Sequence, residues 1–490
     1  MSPTNQLKNQ HLMWRAGFGP AAEQLPELAY ASPHALYKAL RKASAQAPGY
    51  LDVADDTLKG LVMGLQEQGQ PFKDLSADQK KQFQQQNRQA IRSLNTSWLR
   101  EMVSSKAQLR EKMAFFWHGH FACRNLNVFY QQELLDVIRR QALGNFRDLL
   151  HAVSKTAAML NFLNNNQNRK NHPNENFARE VMELFTLGRG HYTESDVKES
   201  ARAFTGWGAN LRGEFVFRPA LHDDGMKTVL GKTGRWDGDQ VLDILLDQPQ
   251  AARFVCGKLY RYFVNDQPDP ARINLLADRF YRSGYDISDL MEAIFTSDWF
   301  YDPANIGTRI KSPIELIAGI QRMLPMELAN EEALLVVQRL LGQVLFYPPN
   351  VAGWPGGRTW IDSSTLMMRM RLPQLLGAAD EFNLTPKTDD DQMMGRGEDL
   401  PGSAGGLRPG GQGGGRARLL QATIRWEPYS RYVARLAEDQ VIPGICQVLL
   451  QVPAGFTPSL ISGFSQGGDR ERLLRTATIQ VMSTPEYQLC

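Results

Sequence analysis

Helix-period spacing of apolar residues along most of the chain, a scarcity of strictly alternating runs, and clear helix start and stop signals together predict an all-α protein. The expected architecture is a large multi-helix domain with at most a short β-hairpin. At 490 residues, 42% hydrophobic and 22% charged, the chain can bury a large core or build two to three domain-sized units.

From about Asp78 to Val103 the sequence sets Phe83, Ile91, Leu94 and Leu99 near one face among Gln, Arg and Lys, the pattern of an amphipathic helix. Helical spacing returns in "LREKMAFFWHGHF", "NVFYQQELLDVIRRQAL", "DGDQVLDILLDQPQAARFVCGKLYRYFV", "DISDLMEAIFTSDWF" and "SPIELIAGIQRML". In "HPNENFAREVMELFTLGRG", Pro173 suits a first helical turn, Phe177, Val181, Leu184 and Leu187 form one buried stripe, and Gly188 suits the stop. The next unit opens with Thr193 and Asp196 at capping-box spacing and ends at Gly206. Asp286 and Ser312-Pro313 are further start signals. "GEFVFRP", Gly213 to Pro219, is the best strand and is short enough for one hairpin arm.

Residues 387–417 combine acids, Pro and many glycines with almost no large apolar side chains, so they cannot offset their own ordering entropy. They read as a flexible loop or linker between a main helical domain, 1–386, and a C-terminal helical segment, 418–490, expected to pack on it. The "GGQGGG" within this stretch follows no strand and precedes no GK[ST], so it is not a phosphate loop.

With 55 Lys and Arg against 52 Asp and Glu the net charge is only +3, and no dense basic block is present, which argues against a nucleic-acid partner. Cys123, Cys256, Cys446 and Cys490 form no CxxC pair and read as free thiols, three of them core filler. No stretch reaches the length of a membrane span, and the first twenty residues lack a signal-peptide pattern. A cytoplasmic protein is the default expectation, with a periplasmic or secreted one as the alternative if a leader was removed.

Four segments carry candidate chemistry. On the Pro173–Gly188 helix, Asn176, Arg179, Glu180 and Glu183 share a polar ridge, with Glu175 on its flank; the bland alternative is a solvated face with an Arg179–Glu183 ion pair. In "FFWHGHFACR", His118 and His120 lie among aromatics. On a strand they would chelate together, but on a helix i and i+2 stand about 200° apart. Either the helix breaks at Gly119, or one imidazole faces a site while the other packs. A loop offers His222, Asp223, Asp224 and Lys227, which reads equally as a turn at Asp224-Gly225. "FYPPNVAGWPGGRTWIDSS" carries Trp354, Arg358 and Trp360, as stacking groups for a ligand or as anchors pinning the loop to the core.

The blocks "HLMWRAGFGP", "FFWHGHF", "NENFAREVMELFTLGRGHYTESDVKESARAFTGW", "HDDGMKTVLGKTGRWDGDQVLDILL", "FVCGKLYRYFV" and "PPNVAGWPGG", in this order, resemble the bacterial domain of unknown function 1800 family. The likeness runs from about His11 to Arg371 and more weakly beyond. It implies a mostly helical protein, often exported, often beside an uncharacterised family that resembles sulfatases and alkaline phosphatases. It implies no reaction.

Two functional expectations follow. In the first, the protein is a metal-dependent enzyme, a hydrolase or oxidoreductase acting on a cell-envelope or polysaccharide-type substrate. His118, His120 and Glu180 would hold a divalent cation, Glu183 would act as general base, and Arg179 with His222 would stabilise negative charge. Trp354, Arg358 and Trp360 would bind substrate. In the second it is a non-catalytic helical scaffold that binds a partner, the sulfatase-like neighbour.

Overall fold

A computed structural model describes residues 3–60, 76–210, 213–377, 422–457, 461 and 470–490. The expected linker at 387–417 lies outside the described residues. Helix dominates, and the sheets among the described residues are three antiparallel strand pairs: Trp207–Ala209 with Phe215–Phe217, Lys227–Val229 with Lys232–Gly234, and Met326–Leu328 with Ala422–Ile424. The expected hairpin arm is therefore present at Phe215–Phe217. No described helix is long and apolar enough to cross a membrane.

The longest helix, Ala77–Ser104, starts at a Ser76–Gln79 capping box and buries Ile91, Leu94, Trp98 and Leu99. Against it pack the helices Gln108–His120, Val128–Gln141 and Pro313–Met323. Within this core Glu111 accepts from Trp98 Nε1 at 3.1 Å and from Arg139 at 2.9 Å through two guanidinium nitrogens, so a buried carboxylate is fully paired.

The local signals are observed where the sequence put them. Asp286 caps Ile287–Phe295, Ser312 and Glu315 form a reciprocal box at the start of Pro313–Met323, and Thr193 and Asp196 do the same for Glu194–Ala203. Gly188 and Gly206 adopt φ of 82° and 81°, the left-handed conformation that ends a helix.

Two boundaries differ. Pro173 is not in a first turn, because the helix begins at Asn176, where the Asn174 side chain accepts from the Asn176 amide at 3.0 Å. The long pattern from Asp237 is two helices, Gly238–Leu246 and Pro249–Phe263, since Pro249 has no N–H to carry the first one onward. Cys123, Cys256 and Cys490 are buried, Cys446 is partly so, and all four are free.

The C-terminal stretches are joined to the rest by side-chain and backbone hydrogen bonds. Gln10 Nε2 donates to the Gln447 carbonyl at 2.9 Å, and Arg309 and Cys490 exchange both amide hydrogen bonds at 3.1 and 2.8 Å.

Candidate functional site

The Gln108–His120 helix runs unbroken through Gly119, so its two histidines face different neighbours. His118 packs against Trp98, Phe346 and Trp354, with ring centroids 5.1, 5.1 and 5.6 Å away. Its Nε2 accepts from the Phe346 amide at 3.2 Å, and burial pushes its pKa down to about 3. It is a neutral imidazole carrying its proton on Nδ1. Phe346 has φ of 68°, a strained backbone that this hydrogen bond helps to hold. His118→Leu leaves that amide without an acceptor, and thermal unfolding is expected to report a loss of about 1–3 kcal/mol.

His120 points the other way. Its Nε2 lies 3.2 Å from the Phe185 carbonyl and its Nδ1 lies 3.3 Å from Lys258 Nζ, which also donates to the Leu184 carbonyl at 2.9 Å. Burial first, and the neighbouring Lys258 second, hold His120 far below its ordinary range, so it is neutral with the proton on Nε2. Leu184 and Phe185 belong to Val181–Thr186, a π-helical turn in which Thr186 Oγ1 donates back to the Val181 carbonyl at 2.7 Å. The last carbonyls of a helix need outside donors. Here His120 and Lys258 supply them.

Beside this knot opens a cleft of about 460 Å³, lined by His120, Lys258, Arg261, Tyr262, Asp266 and Arg309, with Trp354 and Trp360 among its walls. Three cations thus meet one carboxylate. Burial lowers the Lys258 pKa to about 8, and no described carboxylate lies within ion-pair distance of it. Tyr262 Oη and Arg309 Nη1 are buried and have no hydrogen-bond partner in the structure. Burial raises the Tyr262 pKa well above its ordinary value, so the phenol keeps its proton as a donor. The Arg309 guanidinium stacks 4.6 Å from the Tyr262 ring centroid, and its Nη1 lies 3.8 Å from Glu315 Oε1, within ion-pair range but beyond a hydrogen bond.

A larger groove of about 920 Å³ lies elsewhere, lined by residues such as Glu23, Arg100, Arg322 and Glu331. Two of its arginines are already engaged: Arg100 pairs with Glu331, and Arg322 donates to the Gly19 and Val103 carbonyls at 2.8 and 2.7 Å.

The polar ridge of the Asn176 helix does not reach the cleft as a unit. Arg179 is tied to Glu194 through two contacts of 2.7 Å and to Glu175 at 3.0 Å, not to Glu183. Glu183 accepts from Tyr192 Oη at 2.5 Å and from Arg189 at 2.7 Å, and these bonds, the Tyr192 bond foremost, hold its pKa below the usual carboxylate range. Glu180 is half-buried, and desolvation, then Glu183, raise its pKa. His222 is buried, with Nδ1 2.9 Å from the Thr205 carbonyl and its ring against Phe217, and it pins a loop.

So the structure does not gather Glu183, Arg179 and His222, nor His118, His120 and Glu180. Among the described residues no three His, Cys, Asp or Glu side chains cluster as a metal shell would need. Bringing both imidazoles to one cation would break the Phe346, Phe185 and Lys258 hydrogen bonds. What does come together is His120, Trp354 and Trp360, while Arg358 is exposed nearby on the loop.

Trp360 is a buried anchor and Trp354 is half-buried over His118. Their loop touches the histidine helix directly: Gly353 has φ of 80°, and a Cβ there would stand 2.5 Å from the Gly119 carbonyl. Lys258, Arg261 and Tyr262, spaced i, i+3 and i+4, share one helical face in "FVCGKLYRYFV", which is the sequence signal for their meeting. Arg309 had no local signal at all.

No curated protein matches the chain, and no solved structure does. A family model described as "Protein of unknown function (DUF1800)" matches residues 11–489, nearly the whole length, and the chain belongs to that family.

Proposed function

We propose that the cleft binds a small organic anion. Its oxyanion is taken by Tyr262 Oη and Arg309 Nη1, and its ring or chain lies against Trp354 and Trp360. The carrying observation is a cleft whose lining sets Lys258, Arg261 and Arg309 against a single lining carboxylate, Asp266, beside two buried donors, Tyr262 Oη and Arg309 Nη1, that no hydrogen bond satisfies. A buried unpaired donor costs about 1–3 kcal/mol, and a ligand oxygen recovers it. Unlike a metal held by His118, His120 and Glu180, this arrangement requires no existing hydrogen bond to break.

Tryptophan fluorescence titrated with benzoate, glucuronate and inorganic phosphate tests the reading. Benzoate or glucuronate is expected to give a saturable change, because Trp354 is at the wall. Tyr262→Phe is expected to weaken that binding by about 10-fold or more, since a hydrogen bond to a charged group contributes about 1.5–3 kcal/mol. The same substitution leaves the ligand-free protein at least as stable, having removed an unpartnered hydroxyl. Responses that stay linear for every probe and are identical in Tyr262→Phe would leave those donors to water and end the proposal.

A further inference from the structure

We infer that Lys258 is a carbonyl-reactive amine: the cleft presents an anionic aldehyde or ketone to its Nζ, which captures the carbonyl carbon as an imine. This rests on the anion-binding reading of the cleft for the class of carbonyl compound, though not for the reactivity of the amine.

Geometry is the first support. Nζ has two oxygen or nitrogen acceptors in hydrogen-bond range, the Leu184 carbonyl and His120 Nδ1. A neutral amine satisfies both with its two protons and keeps a lone pair as its fourth substituent. An ammonium carries a third proton and gains a cation–π contact with the Phe254 ring, its centroid 4.8 Å from Nζ, which offsets only part of the desolvation that lowers the Lys258 pKa. His120 suits the neutral form, because donation to the Phe185 carbonyl fixes its proton on Nε2 and leaves Nδ1 as an acceptor.

The surrounding charges are the second support. Arg261 sits one turn along the same helix, and Arg309, itself countered by Glu315, lines the cleft; neither supplies a counter-charge to an ammonium. Asp266 also lines it, but as an exposed carboxylate. On the π-helical turn packed against the lysine helix, Glu183 is committed to Tyr192 and Arg189. Glu180, on the turn before, is half-buried with its pKa raised. Desolvation is what lowers the Lys258 pKa to about 8. A desolvated lysine without a counter-ion, opening on a cleft, is an environment in which an amine becomes a nucleophile near neutral pH.

The step balances without a co-reactant. The Nζ lone pair forms an N–C bond, the carbonyl π pair moves to oxygen, and an Nζ proton moves to that oxygen to give the carbinolamine. Loss of water then leaves the imine, with no change in oxidation state. Tyr262 Oη and Arg309 Nη1 would hold the anionic group meanwhile.

Reductive trapping tests this on the full chain. The protein is incubated with glyoxylate and sodium cyanoborohydride, which supplies hydride to the imine and fixes a carboxymethyl group on nitrogen. Labelled sites are then mapped by peptide mass spectrometry. At about pH 7.5 Lys258 is expected to label about 10-fold faster than exposed lysines, its larger free-amine fraction being partly offset by lower basicity. Its rate should inflect near pH 8, and Lys258→Arg should abolish only that adduct.

If Lys258 labels fast and benzoate or glucuronate slows it, both readings stand. If it labels fast but neither probe slows it or changes tryptophan fluorescence, the amine reading stands and the anion-cleft reading falls. Labelling no faster than surface lysines, while the probes bind saturably, overturns the inference alone.

Discussion

Glu315→Ala is expected to destabilise the protein by about 3–5 kcal/mol, read as a fall in the chemical-denaturation midpoint. Glu315 and Lys112 form an ion pair in which both side chains are fully buried. Lys112 Nζ also donates to the Trp14 carbonyl at 3.1 Å, and the second Glu315 oxygen accepts from the Ser312 amide at 2.7 Å. Removing the carboxylate strands Lys112, weakens the balance of Arg309 and breaks a helix cap in one change. Lys112→Met combined with Glu315→Leu should recover only part of the loss, because Arg309 still lacks its counter-charge. Full additivity of the two single changes would show that the pair is not coupled.

The same group sets an acid limit. Burial alone would raise the Glu315 pKa, but Lys112 and Arg309 outweigh it and hold the carboxyl at about 2, against 4.5 in the unfolded chain. Since the folded pKa is depressed, its stabilising contribution is complete above about pH 4.5 and disappears as pH falls towards 2. The denaturation midpoint of the native protein should drop through that window more steeply than that of the Lys112→Met, Glu315→Leu variant. Equal slopes would assign acid sensitivity elsewhere.

Gly353→Ala is the second large effect. The position combines φ of 80° with a Cβ that would meet the Gly119 carbonyl at 2.5 Å, an atom of helix backbone that cannot swing aside. Left-handed strain and overpacking together predict a loss of about 2–5 kcal/mol. The loop would lift from the histidine helix and carry Trp354 off His118, so a red-shifted tryptophan emission should accompany the lower stability. An unchanged emission spectrum with native stability would show that the contact does not set the cleft wall.

Much of the fold was readable because its signals are local. Asp286, Ser312-Pro313, Thr193 with Asp196, and the two left-handed glycines each act within a few residues, so they mark helix ends whatever surrounds them. Pro249 also acts locally, but a continuous apolar stripe through Asp247 concealed the break. Asn174 displaced the start expected at Pro173 because its side chain had a nearer amide to cap.

The cleft was legible only in fragments. His120 and the two tryptophans stand out in composition because their residue types are rare. Lys258, Arg261, Tyr262 and Arg309 do not, because Lys, Arg and Tyr are ordinary residues, and the desolvation of Lys258 and the unsatisfied Tyr262 Oη and Arg309 Nη1 arise only on folding. The polar ridge at Arg179, Glu180 and Glu183 stands out in sequence for the converse reason. Its charges are visible in sequence, but the bonds of Glu194 and Glu175 to Arg179, and of Tyr192 and Arg189 to Glu183, form only after folding. What that helix contributes to the cleft is two backbone carbonyls, which no side-chain pattern reveals.

The opposed hydrogen bonding of His118 and His120 gives the molecule an internal spectroscopic gauge. With one ring protonated on Nδ1 and the other on Nε2, nitrogen magnetic resonance of a histidine-labelled sample should resolve two imidazoles whose protonated and bare nitrogens are interchanged, both held neutral by burial. A molecule seated against Lys258 would shift the signals of one ring and leave the other unmoved, so occupancy could be followed before its chemistry is known.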